Sequence, residues 1–188
     1  MHLGYSVLIF LTFIAKAQAK TSNYYIGAGA ASSIYAQTGL NDSKFSEYRV
    51  IAGIDVSKYF ALETHIATSE KGRIDVSGTS VDFTVNNLAA GFLRLQVPIH
   101  AKSWGLSTVN LGLLAGKVRM QTLLDDGFNA AQTSMAYSTA YGASIDLFAG
   151  VKWSLRFDHL RYVDNKSTSG VPYSYTSVGL LLMMRLDK

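Results

Sequence analysis

A strict two-residue period governs the stretch Thr133–Leu147, and it restricts the fold more than any other feature of the chain. Odd positions are mostly large or apolar (Met135, Tyr137, Thr139, Tyr141, Ala143, Ile145, Leu147), and even positions are small or polar (Ser134, Ala136, Ser138, Ala140, Gly142, Ser144, Asp146). A β-strand with two unlike faces produces this period. The run exceeds the ~5–6 residues of an ordinary strand and suffices for the ~9–11 that cross a bilayer at a tilt. Similar patterning elsewhere predicts eight strands: Tyr24–Tyr35, Glu47–Ser57, Phe60–Glu70, Phe83–Val97, Leu106–Lys117, Ser134–Leu147, Lys152–Asp164 and Tyr173–Leu186.

Residues 1–19 read as a cleaved secretory signal, with an apolar core Val7–Ile14 and a small-x-small site at Ala17-Gln18-Ala19. The core is well short of the ~20 residues of a membrane helix. Residues 20–188 then form one domain without a linker. Their longest apolar run, Val178–Met184, is broken by Gly179 and followed by Arg185. In a membrane such a chain must close into a barrel, because lipid offers no partners to open strand edges. The chain has no Cys, which removes disulfide and thiolate chemistry. Its 11 Tyr, 9 Phe and 2 Pro favour strands and supply material for interfacial girdles. Hydrophobic content of 48% is ordinary, so a soluble, lipocalin-like barrel stays open as the inverted alternative. A net charge of +4 is too small to argue for nucleic acid.

The expected connections alternate. Ala36–Ser46, Lys71–Asp82, Val118–Thr133 and Asn165–Pro172 are polar and mostly long, whereas those near Lys58-Tyr59 and Ala149-Gly150 are tight and Pro98–Gly105 is intermediate. Outer-membrane barrels sort their loops this way, with the termini on the short-turn side. Parity puts Leu93, Leu95 and Val97 outside with Arg94 and Gln96 inside, and leaves Leu88 and Phe92 inward as well. Phase changes after Phe157, where Leu160 and Tyr162 fall on the parity of Arg156 and Asp158. A bulge near His159 is expected to return them to the lipid face.

Inward positions collect Arg49, Asp55, Glu63, Arg94, Asp146, Arg156, Asp158 and Arg185, with His65 beside them. Four Arg against four carboxylates reads as a structural salt-bridge network filling a lumen only wide enough for side chains. An ion path or an acid/base site is the sharper alternative. Glu63 and His65 share a face but lie deep inside, and Asp158 and His159 point to opposite faces. No Ser sits in a glycine elbow, and the His spacing matches no metal site. No catalytic residue, cofactor or metal is therefore expected. Gly27-Ala28-Gly29 lies within a strand, where small residues relieve crowding. Basic residues near the expected outer ends (Lys71, Arg73, Lys117, Arg119, Arg161, Lys166) are candidate contacts for lipopolysaccharide or another polyanion.

Four stretches carry a family resemblance: Tyr25-Ile26-Gly27-Ala28-Gly29-Ala30, Phe60-Ala61-Leu62-Glu63, Asn110–Gly116 and Leu155-Arg156-Phe157-Asp158. They resemble the small outer-membrane β-barrel superfamily that includes the OmpA transmembrane domain, the opacity proteins and the Ail-type adhesins. That family's seventh strand typically continues to Tyr-Arg-Tyr, and His159-Leu160-Arg161-Tyr162 has one residue more. The last strand, Ser177–Met184, is similar to the assembly signal read by the barrel assembly machinery, although the chain ends without the usual aromatic residue. The resemblance implies an all-β, eight-stranded antiparallel up-and-down transmembrane barrel, monomeric and located in the bacterial outer membrane. It implies a non-enzymatic role in envelope structure and surface interaction, through loops that meet a host or environmental ligand. A narrow channel is the first alternative, and a lipid-modifying enzyme or protease the second.

Overall fold

The computed structural model describes residues 23–37, 42–76, 79–100, 108–125, 127, 130–149, 151–163 and 173–186; the expected signal peptide lies outside them. Nine strand segments follow one another: β1 Asn23–Gln37, β2 Ser43–Asp55, β3 Phe60–Ser69, β4 Gly72–Val76, β5 Thr79–Ile99, β6 Thr108–Asp125, β7 Gln132–Ala149, β8 Trp153–Val163 and β9 Tyr173–Leu186. β3 and β4 are two parts of one stave, and both pair with β5. Each stave runs antiparallel to its sequence neighbours, and β1 pairs β9 to close the wall. The product is an eight-staved up-and-down barrel, as the alternation predicts.

The two faces of each stave meet opposite environments. Leu113, Ile66, Val50, Val178 and Leu182 are more than half exposed outside, whereas Arg49, Arg94 and Arg156 are 1% exposed inside. Continuous apolar surface around a charged interior is stable where the outer solvent is lipid. Exposed Tyr24, Phe60 and Trp153 edge this belt near the end that holds the described chain ends, and Tyr48, Tyr137 and Tyr141 edge it at the opposite, upper end. The lipocalin-like inversion does not hold for this wall.

The expected loop asymmetry is replaced by an asymmetry of strand height. β5, β6 and β7 contain 21, 18 and 18 residues, nearly twice the ~9–11 that a bilayer needs. Most of the expected loop Lys71–Asp82 is strand, in β4 and the start of β5. β6 continues through the expected loop Val118–Thr133 as far as Asp125, and β2 begins at Ser43 within Ala36–Ser46. The polar residues of these stretches misled the segmentation. Above the membrane an outward side chain meets water, while Ile74, Phe83, Val85 and Met120 remain buried inside.

The bulge expected near His159 is absent there. Leu160 and Tyr162 both point inward and are fully buried, so alternation continues past Asp158. The register shift falls at Tyr162, between Arg161 and Val163. An apolar side chain need not face lipid here, because the upper lumen is itself apolar. A second irregularity, between Val85 and Asn87, lets Val85 and Leu88 both point inward.

Close packing accounts for Gly29 in β1, where an added Cβ would lie 2.1 Å from the Leu180 carbonyl oxygen of β9. Gly91 faces outward with open space around its Cβ direction. Gly29→Val is expected to open the β1–β9 seam, at a cost above the ~1–3 kcal/mol of ordinary overpacking, and to abolish the heat-modifiable folded band on a gel. Gly91→Val should retain that band.

Candidate functional site

The lumen is built in layers. In the lower one, Arg156 of β8 grips Asp146 of β7 at two points, Nε to Oδ1 at 2.6 Å and Nη2 to Oδ2 at 3.1 Å, and reaches Glu63 of β3 at 3.0 Å. Arg94 of β5 bridges the same carboxylates, at 2.8 Å from Asp146 and 3.5 Å from Glu63. Tyr25 donates to one Glu63 oxygen at 2.7 Å, and His65 Nε2 lies 2.9 Å from the other. Nearer the mouth, Gln96 and Arg185 hold Asp55 at 2.9 and 3.1 Å. A cavity of about 10 Å³ lies beside them, bounded by Arg94, Asp146 and Arg156 among others. That is room for about one water.

A second layer lies above. Arg49 of β2 binds both oxygens of Asp158 through Nη1, at 2.9 and 2.8 Å, and donates from Nε to Glu47 at 2.8 Å. Glu47 also accepts from Ser33 at 3.0 Å and from Tyr175, and Arg49 donates to Ser177. Over this layer packs a set of rings. Tyr162 stacks beside Tyr175 and Phe92, Phe45 beside Tyr175 and Phe83, and Tyr35 lies 4.5 Å from Phe83. The Arg49 guanidinium sits 5.3 Å from the Tyr162 ring centroid. Charge at the bottom of the lumen thus gives way to aromatic packing at the top.

Alternation brings all the expected lumen residues inside: Arg49, Asp55, Glu63, His65, Arg94, Asp146, Arg156, Asp158 and Arg185. Glu47 belongs with them, 0% exposed, yet sequence reasoning treated it only as the start of a strand. Its parity with Arg49 was the available signal. Tyr162 and Tyr175 were missed because aromatic residues in a membrane barrel suggest girdles. Asp158 faces the lumen and His159 the outside, so they do not meet. Glu63 and His65 meet but are sealed at 3% and 0% exposure.

The basic candidates divide. Lys71 and Arg73 lie 3.4 and 3.8 Å from Asp82. Lys117 and Arg119 are within β6 rather than in a loop, on its outer face and in register with Thr139 and Tyr137 of β7. Arg161 of β8 is in register with Tyr141 on the other side of β7. These three cations and two tyrosines mark the upper border of the apolar belt on adjacent staves. Lys166 lies outside the described residues.

An antiparallel eight-staved barrel with an apolar, aromatic-edged exterior and a charged interior is a transmembrane barrel of the bacterial outer-membrane class. Solved structures with this fold include Neisserial surface protein A (NspA), with a TM-score of 0.66 at 13% identity, covering 89% of this chain and 100% of that one. Ail, the attachment invasion locus protein of Yersinia pestis, superposes with a TM-score of 0.58 at 13% identity, over 88% of this chain and 100% of its own. The N-terminal β-barrel domain of Pseudomonas aeruginosa OprF gives 0.57 at 9% identity, over 88% and 100%. No family model and no curated protein sequence matches the chain.

Removing one partner from a buried ionic network leaves carboxylates without compensation, at a cost of about 3–5 kcal/mol. Arg156→Met is expected to destabilise the refolded barrel by that amount in urea titrations in detergent micelles. A loss below about 1 kcal/mol would show that Arg94 alone suffices for Asp146 and Glu63.

Proposed function

We propose that this chain is a non-enzymatic surface protein of the outer membrane, whose lumen is a structural filling rather than a passage and whose upper collar and connections meet the surroundings. The observation that carries this reading is the burial of Arg49, Arg94 and Arg156 at 1% exposure each. Charges lining an aqueous path stay wetted, whereas these are stacked at two levels beneath packed rings. The lumen residues accordingly act as a closed structural network. Against an enzyme stands the geometry of the His–acid pairs, one split across the wall and the other sealed within it. Planar-bilayer recording tests the reading, with no reproducible single-channel steps expected. Steps that lumen substitutions abolish would establish the channel instead.

The chemistry at the upper border favours phosphorylated outer-leaflet lipid, such as lipopolysaccharide, as a partner. Lys117, Arg119 and Arg161 sit at headgroup height beside Tyr137 and Tyr141, where cations and amphipathic rings meet anionic lipid. The Yersinia pestis Ail barrel has been solved with the heparin analogue sucrose octasulfate, a polyanion, which supports the same class of partner for this rim. A host or environmental surface ligand would be met higher up, by the connections. The barrel is read as a monomer, inserted by the barrel assembly machinery through the pattern of β9.

Each Lys or Arg at an anionic surface contributes about 1 kcal/mol. The double variant Lys117→Ala/Arg119→Ala is therefore expected to bind lipopolysaccharide micelles roughly 30-fold more weakly, with a smaller dependence on salt. Unchanged affinity in calorimetric titrations would remove the rim from the lipid contact.

A further inference from the structure

Above the apolar belt, one sulfur sits where two hydrogen-bond donors converge. Met135 is on the outer face of β7, in register with Gln121 of β6, and Tyr137 below it on the same face is in register with Arg119. The Tyr137 hydroxyl donates to the Met135 sulfur at 3.2 Å, and Arg119 Nε–H donates to it at 3.5 Å. Met135 is 40% exposed, whereas Met120 and Met183 are buried in the lumen and Met184 is partly buried. A thioether is a weak acceptor, so it holds the guanidinium loosely and leaves it free for a phosphate. An accessible methionine sulfur is also open to oxidation, which turns an apolar side chain into a polar one.

We propose that Met135 is an oxidation site, and that its sulfoxide captures Arg119 and withdraws it from anionic lipid. A peroxide supplies the oxygen. The sulfur lone pair attacks one peroxide oxygen, an S–O bond forms as the O–O bond breaks, and with hydrogen peroxide the second oxygen leaves as water. Sulfur loses two electrons and the peroxide gains them. The new oxygen is strongly polar and lies where the two donors already point. Arg119 then makes a charge-assisted hydrogen bond, roughly twice as strong as a neutral one, and the Tyr137 hydroxyl makes another. The guanidinium must leave that oxygen before it can meet a phosphate. Lys117, opposite Thr139 and one row nearer the membrane, keeps its surroundings.

The effect on lipid rests on the rim reading above, whereas oxidation and capture do not. The test treats refolded protein with dilute hydrogen peroxide and maps oxygen uptake by peptide mass spectrometry. Met135 is expected to gain one oxygen before Met120 and Met183 react; oxidation of the buried pair first would overturn the inference. Calorimetric titration with lipopolysaccharide micelles follows. Loss of one cation from an anionic surface corresponds to roughly fivefold weaker binding, and that is the change expected of the oxidised wild type. Met135→Leu, treated identically, should keep its affinity, and Arg119→Ala should bind weakly with or without peroxide. Unchanged affinity of oxidised wild type, or an equal loss in Met135→Leu, would overturn the capture. Nitrogen-15 NMR of the Arg119 Nε–H gives a readout without lipid. Its resonance should shift on oxidation in the wild type and stay in place in Met135→Leu. If untreated protein binds no lipopolysaccharide, the rim reading fails by itself, and an unshifted Arg119 resonance would then overturn the capture.

Discussion

Arginine–carboxylate pairing across the lumen is the interaction on which the other features depend. Hydrogen bonding between neighbouring staves forms the wall, but each ladder connects only adjacent strands. The guanidinium of Arg156 reaches from β8 to Glu63 on β3, and that of Arg49 reaches from β2 to Asp158 on β8. These contacts span strands far apart in sequence. A barrel narrow enough for such pairs to meet leaves room for about one water beside them, and so little water makes any unpaired member costly.

The polarity of the two surfaces reverses along the barrel axis. At membrane height the exterior is apolar and the interior ionic. Above it the exterior turns polar, and the interior becomes a core of Tyr35, Phe45, Phe83, Tyr162 and Tyr175. Each level obeys the same rule, with whichever face lacks water taking the side chains suited to its neighbours. The upper part is therefore held together as a soluble barrel would be, by apolar burial, and the lower part by charge pairing.

This reversal also marks where the sequence was legible. Period two identified every stave, and parity placed Arg49, Glu63, Arg94 and Arg156 together inside, because a strand's geometry leaves them no other face. Leu160 and Tyr162 were misread since a single rule, apolar toward lipid, was applied through the boundary that Arg161, between them, marks. Stretches such as Lys71–Asp82 look like loops for the same reason, since a strand with water outside loses half of its apolar signal. Glu47 was overlooked at a strand end, where alternation has too few repeats to define a phase.

The unequal heights of the staves give the molecule a front and a back. β5, β6 and β7 rise together, whereas the described part of β8, beside β7, has 11 residues. A rim cut at a slant breaks the rotational equivalence that a level cylinder would have in the plane of the membrane. Lys117 and Arg119 lie on the tall flank, on the outer face of β6. Direction in the plane of the membrane is thus encoded in the lengths of three strands, with no change to the cylinder that crosses it.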